Sequence, residues 1–388
     1  MQIYLDYSAT TPPHPLVLEK VQDVCTAEWG NPSSLHQWGN RAATLLEMAR
    51  MQVAGLIGAT NPDNILFTAG GTEADNLAIF GMTSQFQSPQ HLIISSVEHP
   101  AIAKPADYLE AQGWQVTRLP VDHYGRVNPV DFEKAIQPNT VLASIIYGQS
   151  EVGTLQPIAE LGAIARKHNV IFHTDAVQAA GRVPINVETL PVDLLSLSSH
   201  KIYGLQGTGA LYVRSGLELH PQLFGGGQEN KLRSGTQGLP GIAAFGVAAE
   251  LATENLMAES QRLRDLQTLC FELLADCHHL QPTGDRHHRL PHHISFVIRD
   301  DSPLKGLTGK SIVRQLNLAG IGISAGSACH SGTLSPSSIL KAMGYSQAAA
   351  LSGIRLSCGA QTQKEDIKWT AIALRQILRQ QTANLLLT

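Results

Sequence analysis

Apolar residues in this chain gather into short continuous runs, each followed by a longer segment whose apolar positions recur every three or four residues. That is the alternation of buried strands and amphipathic helices from which parallel α/β sheets are built. Strands are expected over Gln2–Asp6, Asn64–Thr68, His91–Ser95, 115–119, 141–147, 170–174, from Val192 to the polar cluster at Ser198, and over Thr208–Arg214. Helices are expected from Pro15 to about Glu28, from about Asn40 to Leu56, from near Thr72, and near 129–136 and 157–168. From about Pro240 to Leu274 the residues are alanine-rich and helix-favouring, which suits one long interdomain helix. Strand Ile294–Ile298, helix Gly309–Leu318, strand Gly322–Ser324 and an apolar strand within Ser352–Ser357 then make a second α/β unit.

The polar residues collect where these strands end. The run from Val192 empties into Ser198, Ser199, His200 and Lys201, then into a glycine-rich turn. A lysine held near the core beside a histidine and two hydroxyls is poorly explained as a solubilising charge. It suits a Schiff-base lysine, because desolvation and neighbours make an amine nucleophilic at neutral pH. An enzyme that uses pyridoxal phosphate in this way also needs a carboxylate for the ring nitrogen. Asp175 ends the preceding strand, and in a parallel sheet the carboxyl ends of the strands share one edge. Read singly, Asp175 is an N-cap and Lys201 a strand-end charge. Read together they favour the cofactor.

Other strand ends add to that edge. The run ending at Gly70 and Gly71 passes into a helix near Thr72, so free N–H groups, the helix dipole and a hydroxyl make an anion site suited to phosphate; a tight glycine turn is the plainer reading. His99 follows another strand and can stack on a flat cofactor and shuttle protons, or cap a helix. Gln178, one helical turn past Asp175, and the segment Gln149–Gly153 that contains Ser150 can contact the ring or cap neighbouring helices. The glycine-rich loop 224–236, with Arg233, Ser234 and Thr236, suggests an anion or subunit contact. Arg355, inside an apolar strand, needs an anion, either a substrate carboxylate or an internal Asp or Glu. Asn31 lies in an Asn-Pro-Ser-Ser loop able to reach a ligand. Cys329 sits in a loop of small, flexible residues, a setting for an accessible nucleophile rather than a packed core thiol. The histidines at 278, 279, 287, 288, 292 and 293 lack companions at settled ligand spacing, so a solvated linker is expected there and no metal.

Composition narrows the picture by exclusion. With 388 residues, 43% hydrophobic and 15% charged, the chain can bury the cores of two domains. A net charge of −4 without runs of one sign gives no footprint for nucleic acid. No apolar stretch is long enough to cross a bilayer and the first residues look like a strand, so a cytoplasmic location is the default expectation. The 5 cysteines form no CxxC pair, which argues against a disulfide scaffold or structural zinc.

With these motifs assembled, the chain resembles the pyridoxal-phosphate-dependent cysteine desulfurases of the iron–sulfur-cluster and nitrogen-fixation type, in the fold-type I, class-V aminotransferase superfamily. The resemblance runs through YLDYSATTP at 4–12, NPSSLH at 31–36, FTAGGTEADNLAI at 67–79, EHP at 98–100, HTDAVQAAG at 173–181, SSHKIYG at 198–204, RSGT at 233–236, SAGSACHS at 324–331 and SGIRLS at 352–357. It implies a large domain over 13–255, with a mostly parallel seven-stranded sheet between helices, and a smaller α/β domain from 1–12 and 256–388 that carries the cysteine loop. It implies that Lys201 binds the cofactor covalently, Asp175 partners the ring nitrogen, His99 stacks on the ring and Gln178 and Ser150 lie at its oxygen. Gly71, Thr72, Ser198 and His200 would hold the phosphate, with Thr236 arriving from the other subunit of a homodimer. Arg355 and Asn31 would hold the carboxylate of L-cysteine, and Cys329 would take the sulfur as a persulfide for an acceptor protein such as an iron–sulfur scaffold. The chain departs from the family at Gly70–Asn76, where Gly-Ala-Thr-Glu-Ser-Asn-Asn is usual, at Gln149–Ser150, where Asn-Asn is usual, at Gln228–Asn230 after the triple glycine, and at Gly359–Gln363. A selenocysteine lyase, a C–S lyase or a weakly active scaffold homologue are the competing readings; the lyases require no thiol in such a loop.

Overall fold

A computed structural model describes residues 2–326 and 335–386. Its strands are β1 (Ile3–Tyr4), β2 (Ile65–Thr68), β3 (His91–Ser95), β4 (Gln115–Leu119), β5 (Thr140–Ser144), β6 (Ile171–Asp175), β7 (Leu194–Ser198), β8 (Gly209–Val213), β9 (Leu280–Pro282), β10 (His293–Ile298), β11 (Ile321–Gly322), β12 (Ser324–Ala325) and β13 (Ile354–Ser357). The helices are α1 (Pro15–Ala27), α2 (Gln37–Leu56), α3 (Gly71–Thr83), α4 (Pro100–Ala111), α5 (Pro129–Ala135), α6 (Ile158–Lys167), α7 (Leu239–Leu273), α8 (Gly309–Leu318), α9 (Ser338–Ala342), α10 (Gln347–Ser352) and α11 (Lys364–Leu386).

Seven strands form one sheet in the order β2-β8-β7-β6-β5-β3-β4. Only β8 runs against its neighbours; the rest are parallel. Both faces are covered, which is why these strands read as continuous apolar runs rather than alternating ones. On β2, Ile65 and Phe67 enter the core shared with α2 and α7, while Leu66 enters the core shared with α3 and α4. Each such side chain taken fully out of water contributes roughly 1.5–3 kcal/mol. The α3 face also carries polar side chains near the strand ends, and this exception marks the site.

A second core gathers β9, β10 and β13 with α8, α11 and the far half of α7. Residue Ile3 joins it, because β1 pairs in parallel with β11. Helix α7 serves both cores: Leu239 to Ala249 pack in the first and Leu263 to Phe271 in the second. The expected strand 322–324 is instead two short pieces in two sheets, β11 against β1 and β12 against β13. The expected strand 141–147 leaves the ladder after Ser144.

The solvated linker expected over the histidine-rich stretch is corrected. His287 and His288 are exposed, but His292 and His293 are 1% and 0% exposed; His293 begins β10, the strand held between β13 and β9, and His292 directly precedes it. His293 Nε2 lies 3.0 Å from the Ser150 carbonyl and His292 Nε2 lies 3.2 Å from Ser8 Oγ. Desolvation pushes both imidazoles well below their usual range, so they pack as neutral polar rings.

Candidate active site

The edge formed by the ends of β6 and β7 is where the expected residues meet. Asp175 ends β6 and Ser198 ends β7; a single turn of 3₁₀ helix, Ser199–Lys201, then brings Lys201 back over the edge. Its Nζ donates to the carbonyls of Ser8 and Ala9, both at 2.7 Å. The Ser8 carbonyl also accepts from Gln178 Nε2 at 2.9 Å. The amino-terminal segment is fixed there because Thr11 bonds the His200 carbonyl and Ser8 N–H donates to Ser357 Oγ at 2.8 Å. Burial, and then the charge of Arg355, bring the Lys201 amine down to about 8, against the opposing pull of Asp175 and Asp6. About a tenth of it is therefore neutral at pH 7, far more than for an ordinary lysine. Covalent uptake of pyridoxal phosphate by the apoprotein should accordingly rise about tenfold per pH unit up to about pH 8 and then level off. Borohydride trapping at a series of pH values measures it; a rate that keeps climbing through pH 10 would mean an unperturbed amine.

Burial pushes the Asp175 carboxyl up, while His99, the Val177 N–H at 2.9 Å and Lys201 pull it down. Side-chain oxygens and ring nitrogen of Asp75, His99 and Asp175 lie within 4.8 Å of one another. His99 also caps α4, its Nδ1 accepting from Ala101 N–H at 3.1 Å, so the capping role and the place at the edge coexist.

Beside this edge lies a cavity of about 510 Å³ lined by Gly70, Gly71, Thr72, Asn76, Ser198, His200, Gln206 and Gly207 among others. Four of the expected phosphate residues, Gly71, Thr72, Ser198 and His200, thus share one wall. Gly70 has φ +149°, which side chains rarely adopt, and a Cβ on Gly71 would stand 2.8 Å from Val177 Cγ2. The glycines therefore allow α3 to start tight against the β6 turn, with the amide N–H groups of its first turn open to an anion. His200 is held neutral, at about 4, by desolvation and then Lys201; its Nδ1 meets Thr10 Oγ1 at 3.0 Å. An anion cradle, a buried carboxylate and a depressed lysine on one edge match the phosphate, ring nitrogen and aldehyde of pyridoxal phosphate, so the residues present fit that cofactor.

Arg355 has an internal partner. Its Nη2 donates to Asp6 Oδ1 at 2.6 Å and its Nη1 to the Ser150 carbonyl at 3.0 Å, while Nε is buried with no hydrogen-bond partner. Arg233 likewise meets an internal carboxylate, Glu73, at 2.8 Å. Gln149 caps its own turn through the Glu151 and Val152 N–H groups. Asn31 is exposed and accepts from Ser33 N–H, and Thr236 is exposed in a loop pinned at Glu229 by Arg50 and the Phe67 N–H. Neither lines the cavity. Cys329 lies outside the described residues. Sequence reasoning missed Asp6, Asp75, Glu98 and Gln206. Asp75 carried a signal: it shares a helix face with Ala78 and Met82, where an apolar residue belongs.

The comparisons with known proteins point the same way. The aminotransferase class-V family model matches residues 3–369. Cysteine desulfurase IscS of Dictyoglomus turgidum is 42% identical over 379 residues, 97% of this chain and 94% of that protein. Cysteine desulfurase IscS of Methanosarcina thermophila is 41% identical over 366 residues, 94% and 89% of the two chains. Among solved structures, a NifS-like protein from Rickettsia africae superposes with a TM-score of 0.87 at 31% identity, covering 98% of this chain and all of that one. SspA in complex with cysteine does so at 0.80 and 35% identity, covering 92% and 98%. Similarity of this extent, over a fold whose sheet edge already holds the lysine, the carboxylate and the anion cradle, establishes that the chain belongs to the class-V aminotransferase family and, within it, to the pyridoxal-phosphate-dependent cysteine desulfurases.

Proposed function

We propose that the protein converts L-cysteine to L-alanine and carries the sulfur away as a persulfide on Cys329. The observation that supports this most is the convergence of Lys201, its amine brought down to about 8, with Asp175 at one sheet edge beside the α3 anion cradle. Bound there, pyridoxal phosphate supplies an electron sink for the α-carbon. Lys201 would be its covalent anchor and would supply the amine that moves the α-proton; in the structure the Ser8 and Ala9 carbonyls accept its N–H bonds. Asp175 would keep the proton on the ring nitrogen, His99 would cover the ring, and Gln178 and Ser150 would serve its oxygen. Gly71, Thr72, Ser198 and His200 hold the phosphate, and Arg355 and Asn31 take the substrate carboxylate. The Cys329 thiolate attacks the substrate sulfur; the S–S bond forms as the C–S bond breaks, and the electron pair left on carbon takes a proton to give alanine.

In this reading the protein is a cytoplasmic homodimer in which Thr236 serves the partner's phosphate site, and a sulfur-acceptor protein such as an iron–sulfur scaffold discharges the persulfide. The exposure of Phe224 and Thr236 in one loop supports the dimer. Among the described residues no helix is long and apolar enough to cross a membrane. The reaction is tested by scoring alanine and sulfide from L-cysteine with and without reductant. Sulfide that appears at full rate without reductant and without an enzyme-bound sulfur would mean a C–S lyase instead.

Asp175→Asn should still bind the cofactor when it is supplied in excess, since the cradle is intact, but more weakly, and should turn over about 10²-fold or more slowly, because a neutral amide does not hold the ring nitrogen protonated. Steady-state alanine production measures it. A rate near that of the parent would remove Asp175 from the proposed role.

A further inference from the structure

Behind Asp175, on the α3 face of the sheet, two more carboxyl groups are buried. Asp75 projects from α3 and is 1% exposed; Glu98, in the turn before α4, is 5% exposed. Glu98 Oε1 accepts from Ser95 Oγ at 2.5 Å and from Ile146 N–H at 3.0 Å, and its Oε2 has no partner. Asp75 has a hydrogen bond to Ser196, but its Oδ1 is fully buried with no hydrogen-bond partner. His173 Nε2 lies 3.8 Å from that oxygen. His173 brings no charge: it is engaged by Ser144 Oγ at 2.8 Å and Ser196 Oγ at 3.0 Å, and burial takes it down to about 3. The positive neighbours of the cluster, His99 and Lys201, act on Asp175. Asp75 feels desolvation first and then the negative charges of Asp175 and Glu98. Two ionised carboxylates this close in a dry interior repel strongly, and one of such a pair keeps its proton.

We propose that Asp75 is a positioning residue for the reaction: it stays protonated in the folded protein and so leaves Asp175 as the charged carboxylate that meets the cofactor's ring nitrogen. This rests on the cofactor assignment above. The groups that face Asp75 are Asp175 and His173 from β6, Ser196 from β7, Glu98 from the turn after β3 and His99 at the start of α4, whose ring shares the 4.8 Å cluster with both aspartates and whose charge, like that of Lys201, acts on Asp175. Burial raises Glu98 to about 8 and moves Asp75 in the same direction. The protonated carboxyl is isosteric with an amide, so Asp75→Asn preserves what the site needs, whereas Asp175→Asn removes it.

The sign of the pH effect follows. A carboxyl whose native pKa lies above its unfolded value adds stability below that unfolded value, near pH 4, and loses it as pH rises toward the native value. Thermal unfolding of the full-length apoprotein should therefore show Asp75→Asn gaining on the parent as the pH is raised from about 5 to about 9. A purely structural role gives an offset that does not change with pH, and that outcome overturns the proposal. In the cofactor-loaded protein at neutral pH, infrared difference spectra should lose a protonated-acid carbonyl band in Asp75→Asn; loss of an ionised carboxylate band instead overturns it. Affinity for pyridoxal phosphate should survive in Asp75→Asn and fall about tenfold or more in Asp175→Asn; equal losses overturn it. Should Asp75→Asn not fold, the parent labelled with ¹³C-aspartate decides: a protonated aspartic acid band that persists with the cofactor bound supports the proposal, and its absence overturns it. A parent protein that takes up no pyridoxal phosphate sinks the cofactor assignment, a failure distinct from these.

Discussion

Lys201→Ala is expected to abolish the conversion of L-cysteine, by roughly 10⁴-fold or more, since the proposed mechanism then loses its covalent anchor and its proton-moving base together. The absorbance of the lysine–cofactor adduct should vanish with it, although the α3 cradle and Asp175 can still retain some pyridoxal phosphate. The position has no understudy: among the described residues Lys201 is the lysine that acts on Asp175, and burial and Arg355 bring its amine down to about 8. Methylamine supplied in the medium should restore part of the cofactor chemistry only weakly, because the Ser8 and Ala9 carbonyls hold the native amine in place at 2.7 Å. A borohydride-reducible adduct that persists in Lys201→Ala, mapped to another lysine, would overturn the assignment.

Much of this site was legible in the sequence because parallel sheets put strand ends on one edge. The residues following apolar runs, Asp175, Ser198, His200 and Lys201, could be collected there without coordinates, and the glycine pair before Thr72 announced the helix amino terminus. What stayed hidden depends on contacts between segments far apart in the chain. That Arg355 pairs with Asp6 is set by the β13 bridge to the amino-terminal segment, and no local spacing reports it. The buried histidines at 292 and 293 read as polar linker because hydropathy takes imidazole as hydrophilic, whereas desolvation makes it neutral and the Ser150 and Ser8 oxygens engage one nitrogen of each ring. Asp75 and Glu98 sat in motifs already assigned to phosphate and ring stacking, so their burial beside Asp175 went unread.

Cys329→Ser carries the second large effect. The variant should take up pyridoxal phosphate as the parent does, since none of the cradle, Asp175 or Lys201 is touched, yet form no persulfide and drop alanine production below detection. A hydroxyl is a far weaker nucleophile toward sulfur than a thiolate. The other thiols are poor substitutes: Cys270 and Cys358 are fully buried in the second core, where desolvation pushes Cys270 up to about 12 and Cys358 higher still. Cys277 is half-buried and also raised, and Cys25 is exposed on α1. Serine at these four positions should leave turnover largely intact.

The most direct measurement is therefore mass spectrometry of the parent protein after exposure to L-cysteine alone, with alanine counted in the same sample. The account predicts a gain equal to one sulfur atom, mapping to Cys329, removed by reductant as sulfide and matched by one alanine per subunit in the first turnover. Sulfide and alanine at the full rate with no adduct on the protein, or an adduct that maps to another cysteine, would contradict it.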